Sequence, residues 1–299
     1  MSFDHFADLA TKKACPTDRT VPEGLASGFV DWCTVRSTKG HHQKKNKARD
    51  CYMKQAAQNA LSLPFELDPW PPELLHRSWR ALEVEFELLT PWYSKDERLF
   101  HVLDNPVRKD RVFGVPFMAA ASWKGMLRWA CRMQADLRQH RGEGKRFDDW
   151  ILHLFGNEKG EEKNFHQGAL VFYPTWFDKI GFEVINPHDR SRRAGTQPIY
   201  YEVVPGRRPG QEGGKGSLRL LYAPWPGMKD SPAPEEWLPK LLKAIEDLLE
   251  RYGISAKRTV GWGTAKIEKW QVWRDNQPIE ADSRDELVNK LGFAAGGGS

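Results

Sequence analysis

The chain predicts an α+β fold, an antiparallel sheet with helices on one face in the ferredoxin-like arrangement of two strand–helix–strand halves. Three observations lead there. Residues 79–89 alternate, with Leu82, Val84, Phe86 and Leu88 on one side and Glu83, Glu85 and Glu87 on the other, the pattern of a half-buried strand. Leu238, Leu241, Leu242, Ile245, Leu248 and Leu249 form one broad apolar stripe at helical spacing. The coarse order along the chain is strand, helix, strand, long excursion, strand, helix, strand.

Taken in order, residues 1–75 are poorly periodic and read as an N-terminal extension, with a short helix over 54–61 and a proline-rich linker, DPWPPE, at 68–73. The first strand stops at Thr90-Pro91. Residues 92–121 are a long loop. Ser122 is placed to cap a helix reaching about His140, whose apolar positions are Met126, Ala130, Met133 and Leu137. A glycine-bearing stretch at 142–145 ends it. Residues 150–155 are apolar and short, and 156–164 form a charged turn. A second strand, 168–177, is interrupted at Pro174. Residues 186–216 are basic and rich in Gly and Pro, with one extended piece at 199–204, and make a long inserted loop or hairpin. A strand at 217–222, a helix over 235–251 closed by Gly253, and a strand at 264–272 complete the pattern. The main domain is therefore 76–295, and the terminal Gly-Gly-Gly-Ser of 296–299 reads as a linker or tag.

Composition narrows the function classes. A chain of 299 residues is long enough for a sizeable core. Its mean hydropathy is −0.65, and no apolar run approaches the roughly 20 residues of a membrane span. The start, MSFDHFADLATKKACP, lacks a signal-peptide pattern, so a cytoplasmic location and no membrane partner are expected. Four cysteines suit a reducing compartment. Cys15, Cys33 and Cys51 with His41 or His42 are conceivable zinc ligands, but the absence of a CxxC pair favours incidental thiols.

Net charge is only +5, yet it is clustered. Residues 36–54 carry seven basic side chains against the single Asp50. Residues 189–219 add Arg190, Arg192, Arg193, Arg207, Arg208, Lys215 and Arg219. Such clusters attract phosphate chains by releasing counterions, or else are merely solvated loops.

Three places carry candidate chemistry. Lys124 and Arg128 lie four apart near the start of the predicted helix, hence on one face, with Gly125 leaving room for another backbone. Residues 253–263, GISAKRTVGWG, place Lys257 and Arg258 among Gly253, Gly261 and Gly263, which suits either a phosphate cradle or a tight turn. Asp104 stands among Arg108, Lys109 and Arg111. It either closes the Asp-Asn-Pro turn, pairs with Arg108, or serves metal coordination or proton handling when an RNA 2′-hydroxyl attacks its neighbouring phosphate. Of the thirteen tryptophans only Trp123 and Trp262 fall inside the two glycine-containing basic segments; the rest are assigned to the core.

Asp104-Asn105-Pro106-Val107-Arg108-Lys109-Asp110, then Val115-Pro116, then Ser122-Trp123-Lys124-Gly125-Met126-Leu127-Arg128 together resemble the RAMP superfamily of CRISPR-associated proteins, most of all the repeated backbone subunit of type III effector complexes. The 253–263 segment is similar to that superfamily's glycine-rich signature, and His188-Asp189-Arg190 followed by Tyr201-Glu202-Val203-Val204-Pro205 to its mid-chain element. Ala119-Ala120-Ala121 stands where the family usually has Pro-Gly-Ser. The resemblance implies an RRM-like fold whose subunits stack along a guide RNA and a complex that cuts target RNA. Asp104 would then be the catalytic and metal-binding residue, with Mg2+ or another divalent cation used for cleavage only. It assigns RNA contact to Arg108, Lys109, Ser122, Lys124, Gly125, Arg128, Arg190, Arg192, Arg193, Lys257, Arg258, Gly261 and Gly263. Expected partners are guide RNA, target RNA and other effector subunits. The same residues admit two alternatives: a non-catalytic capping subunit of the same complex, and an endoribonuclease that processes guide precursors, for which His41, His42 and His188 are candidates.

Overall fold

The computed structural model describes residues 49–50, 52–57, 62–63, 65–97, 101–110, 112–140, 149–157, 166–189, 191, 194–195, 198–228 and 232–293. The zinc candidates Cys15, Cys33, His41, His42 and Cys51, the basic residues Arg190, Arg192 and Arg193, and the side chain of His188 lie outside what is described.

The alternation around residue 84 yields β1 (Arg80–Leu88). A two-residue strand β2 (Phe117–Met118) precedes helix α1 (Ala120–His140), and helix α2 (Asp149–Phe155) follows it. Pro174 splits the next extended stretch into β3 (Leu170–Phe172) and β4 (Thr175–Trp176), as its missing N–H requires. The excursion holds β5 (Gly181–Ile185), β6 (His188–Asp189), β7 (Ala194–Gly195) and β8 (Ile199–Val203), paired β5–β8 and β6–β7. The second half runs β9 (Lys215–Tyr222), α3 (Pro234–Asp247), a wide π turn (Leu248–Tyr252) and β10 (Ala265–Arg274). A hairpin strand β11 (Gln277–Ala281) and helix α4 (Arg284–Lys290) end the described chain.

The main sheet is ordered β11-β10-β1-β9-β3, and every neighbouring pair is antiparallel. Without the added edge strand β11, the two β-α-β halves interleave: β1 lies between the strands of the second half, and β9 between those of the first. The protein is thus α+β, with the strand order expected of two interlocked halves.

Helices α1 and α3 pack on each other. Leu82, Val84, Phe86 and Leu88 of β1 belong to the main core with Trp123, Leu127, Ala130 and Cys131 of α1 and Leu238, Leu241, Leu242 and Ile245 of α3. The buried stripe of α1 is therefore rotated from the expected one: Ala130 is buried as expected, but Met126 is only half buried, and Trp123, Leu127 and Cys131 join Ala130 in the core. Trp123 decides this. Its fully buried indole donates to Thr175 Oγ1 at 2.8 Å, which fixes the rotation of the helix and removes Trp123 from any surface role.

The other face of the sheet departs from the expectation of solvent-facing glutamates. Glu83 and Glu87 are buried. Glu83 accepts from Arg219 Nε at 2.7 Å. Glu87 accepts from Arg207 and, at 2.6 Å, from the main-chain N–H of Gly213. The 205–214 loop is thereby drawn across the end of β1. Gly213 is needed there, because a Cβ would stand 2.1 Å from Leu88 O.

Candidate nucleic-acid interface

Beyond β1 the chain turns at Thr90-Pro91, and Trp92 and Tyr93 run alongside residues 253–263. Trp92 Nε1 donates to Ile254 O at 3.0 Å, Tyr93 N donates to Ser255 Oγ at 3.0 Å, and Ala256 N donates to Tyr93 O at 2.9 Å. Gly253 and Gly263 close the loop on itself. Both have positive φ, Ile254 N donates to Gly263 O at 2.9 Å, and a Cβ on Gly263 would lie 2.3 Å from Ser255 N. Gly263 is buried in this turn. Gly261 stands at the exposed tip with open space where a Cβ would be.

This loop meets the first turns of α1 across a groove of about 540 Å³. Ser122, Gly125, Met126 and Trp129 form one wall, and Ser255, Ala256 and Arg258 the other. The helical side recurs every three or four residues, so one face of α1 is presented. Arg258 lies over the Trp129 ring at 4.4 Å, and its Nη1 is buried with no hydrogen-bond partner. Arg258 lines the groove, so an anionic ligand entering it would meet the guanidinium charge. Lys257 lies beside the groove, its Nζ 4.7 Å from the Tyr201 ring centroid.

The expected cationic helix face is a correction. Helix α1 starts at Ala120, so Ser122 is inside its first turn and not its cap; Ala119 O accepts from Ser122 N at 2.9 Å. Lys124 and Arg128 do not line the groove. Arg128 Nη2 donates to Phe155 O at 2.6 Å and Gly156 O at 3.2 Å, closing the C-terminal end of α2. Lys124 has its pKa lowered by burial and, secondarily, by the neighbouring Arg128 charge. The helical wall is neutral, and Arg258 supplies the positive charge.

Asp104 sits on a second structure, the 101–110 loop, stitched to β8. Asn105 Nδ2 donates to Tyr200 O at 3.2 Å, Glu202 N donates to Asn105 O at 3.0 Å, and Val107 N donates to Glu202 Oε2 at 3.1 Å. Lys109, expected to contact RNA, is instead a core residue with 1% of its side chain exposed. Its Nζ is 2.6 Å from Glu202 Oε1 and 2.6 Å from Tyr52 Oη, and Tyr52 also donates to Glu202. Burial would raise the Glu202 pKa, but the Lys109 and His101 charges and the hydrogen bonds from Lys109 and Tyr52 outweigh it and hold it below the usual carboxylate range.

Around that buried knot the surface groups differ. Arg108 pairs with Glu97 at 3.3 Å. Asp110 accepts the main-chain N–H groups of Val112 and Phe113, a turn role. Asp104 is 73% exposed and is met by Arg49 Nη2 at 3.3 Å. No group of three or more His, Cys, Asp or Glu side chains able to hold a metal ion occurs among the described residues. Asp104 therefore fits a Mg2+ only in the mode where one carboxylate is joined by waters and nucleic-acid phosphate oxygens.

Three contributors escaped sequence reasoning. Trp129 carried a signal, its seven-residue spacing from Ser122 on one helical face. Ser255 carried none, and Arg49 only its place in the basic 36–54 cluster, since each contact is distant in sequence.

The fold defines the class: an α+β protein with helices on an antiparallel sheet and a groove between its first helix and a glycine-bounded loop. Residues 85–266, more than half the chain, match the RAMP superfamily, and the chain belongs to it. No curated protein sequence matches the chain significantly. Among solved structures, a chain of the type III-B Cmr-beta complex bound to cognate target RNA is 16% identical, with a TM-score of 0.48 over 79% of this chain and 78% of that one. A chain of the Csm3-Csm4 subcomplex of the type III-A CRISPR-Cas interference complex is 19% identical, with a TM-score of 0.41 over 73% of this chain and 97% of that one. The family assignment rests on the sequence match. No described helix is long and apolar enough to cross a membrane.

Proposed function

We propose that this RAMP protein is a guide-RNA-binding subunit of a type III CRISPR ribonucleoprotein effector, built on a ferredoxin-like domain, with Asp104 acting in cleavage of the target RNA. The observation that carries the binding half is the groove shared by the first turns of α1 and the 254–258 loop, with the Arg258 side chain lining it. Arg258 grips a phosphate there, Trp129 backs its guanidinium, and exposed Ser122 and Gly125 let the RNA backbone approach. Base pairing between guide and target then selects sequence, while the protein reads phosphates and shape.

Asp104 supports the catalytic half through its exposure on an otherwise anchored loop. Its carboxylate takes up the 2′-hydroxyl proton or, with target phosphate oxygens, holds a divalent cation that would neutralise charge developing on the phosphate. In the effector purified around the full-length chain, Asp104→Ala should abolish target cleavage while the guide RNA remains bound. Unchanged cleavage would remove the catalytic half. Cutting of repeat RNA by the purified chain without metal would move it to guide processing.

A further inference from the structure

The Asp104 loop does not stand alone. Residues 49–50 and 52–56 are helical, and this short segment of the N-terminal extension lies against it. Tyr52 and Ala56 are fully buried. The Tyr52 ring meets His101 edge-on at 5.4 Å and Phe182 at 6.3 Å, while its hydroxyl joins Lys109 and Glu202. One turn earlier, Arg49 points at Asp104. Its Nη2 stands 3.3 Å from Asp104 Oδ2, its guanidinium carbon is 5.4 Å from the Tyr200 ring centroid, and its side chain is only 16% exposed.

We propose that Arg49 is a positioning residue for Asp104, so that the segment ahead of the sheet completes the candidate cleavage site. This rests on the reading of Asp104 given above. An exposed aspartate on a loop samples several rotamers, and cleavage needs one. A guanidinium fixed by burial and by an aromatic face restricts the carboxylate to orientations that keep one oxygen on Arg49. The carboxylate as a whole stays open to solvent, where the target arrives. Tyr52 supplies the anchor: with its phenol in the Lys109–Glu202 pair, the helical segment is held against the same loop and strand that carry Asp104 and Tyr200.

The arrangement separates orientation from docking, and variants of the full-length chain in its effector complex can test each. Arg49→Ala should slow cleavage at saturating target by about 100-fold, the scale of a misplaced reacting group, with guide and target affinities unchanged. Arg49→Lys should recover part of the rate, since it keeps the charge and lacks the planar fork. Tyr52→Phe removes the anchoring hydroxyl and keeps the ring against His101 and Phe182; it should lower the melting temperature by a few degrees and slow cleavage less than Arg49→Ala does. If Asp104→Ala stops cleavage but Arg49→Ala cuts at the wild-type rate, Asp104 is catalytic and needs no positioning by Arg49. If Arg49→Ala cuts faster, the contact is a mask and the proposal is overturned. If Asp104→Ala has no effect, the catalytic reading falls first and the positioning role falls with it.

Discussion

Two basic stretches look alike in the sequence and do opposite work. Arg108-Lys109 beside Asp104 and Lys257-Arg258 in the glycine loop are both cation pairs in loops. In the first, Lys109 is driven inside, neutralised by Glu202 and hydrogen-bonded to Tyr52, so its charge holds a loop to a strand. In the second, glycines at both ends and bonds to Trp92, Tyr93 and Ser255 close the loop without using either cation, and Arg258 is left lining the groove. Lysine and arginine runs stay available to a ligand when the backbone around them is held by something else.

The sharpest way to break this contrast is to remove one side of the buried pair. Glu202→Gln leaves the Lys109 ammonium buried without a counter-charge, a loss of about 3–5 kcal/mol. At roughly 2–4 °C per kcal/mol for a large domain, melting should drop by about 10 °C. Adding Lys109→Met to Glu202→Gln removes the stranded charge and leaves the substituted amide's oxygen to accept from Val107 N–H, and should restore most of the loss. Failure of the double variant to recover would mean the pair does more than cancel itself. The pH dependence has a definite sign. The Glu202 pKa is lowered on folding from an ordinary 4.5, so its contribution is complete above that value and is lost as pH falls through the folded one. The stability gap between wild type and the double variant should therefore shift against wild type below about pH 4.5.

The second stretch should show the reverse. Arg258→Ala loses a cation–π contact with Trp129, about 0.5–1 kcal/mol of stability. Its effect on guide RNA should be larger, roughly tenfold in affinity, as expected for one charge-assisted hydrogen bond. The slope of log K against log salt should become shallower by about one phosphate contact. Binding assays across a salt series check both. A Lys124→Ala variant should change neither as much, because Lys124 lies off the groove. If Lys124→Ala is the more damaging, RNA follows the other face of α1.

How much of this was legible depends on whether a feature is local. The strand at Arg80–Leu88 and the helix Pro234–Asp247 announce themselves because their periodicity is set by one buried face each. The grouping of α1 with the glycine loop was readable from motif resemblance, but which side chains line the groove was not. Trp123 and Trp129 sit six residues apart, and only the Thr175 hydroxyl, on another strand, decides that the first is buried and the second faces outward. Glu83 and Glu87 looked solvated because their arginine partners lie more than 100 residues away. The closing β10–β11 hairpin carries a local signal of its own. Asp275 and Asn276 both adopt positive φ, as a two-residue hairpin turn demands, and their residue types are those that tolerate it.

The smallest effect is also the most discriminating between the two regions. Gly125 lies in the middle of α1's first turns, where a Cβ would meet no atom within 4 Å. A glycine inside a helix costs about 0.5–1 kcal/mol relative to alanine, so Gly125→Ala should stabilise the protein by about that amount. The added methyl, however, enters the groove wall that faces Arg258. Guide RNA should then bind a few-fold more weakly to a chain that melts slightly higher, a combination that loss of folding cannot produce. An alanine here that raises stability and leaves RNA affinity untouched would show that the backbone of the ligand does not approach this wall. The groove would then hold at most the phosphate on Arg258. The same residue change thus reads out whether glycine was kept for the helix or against it.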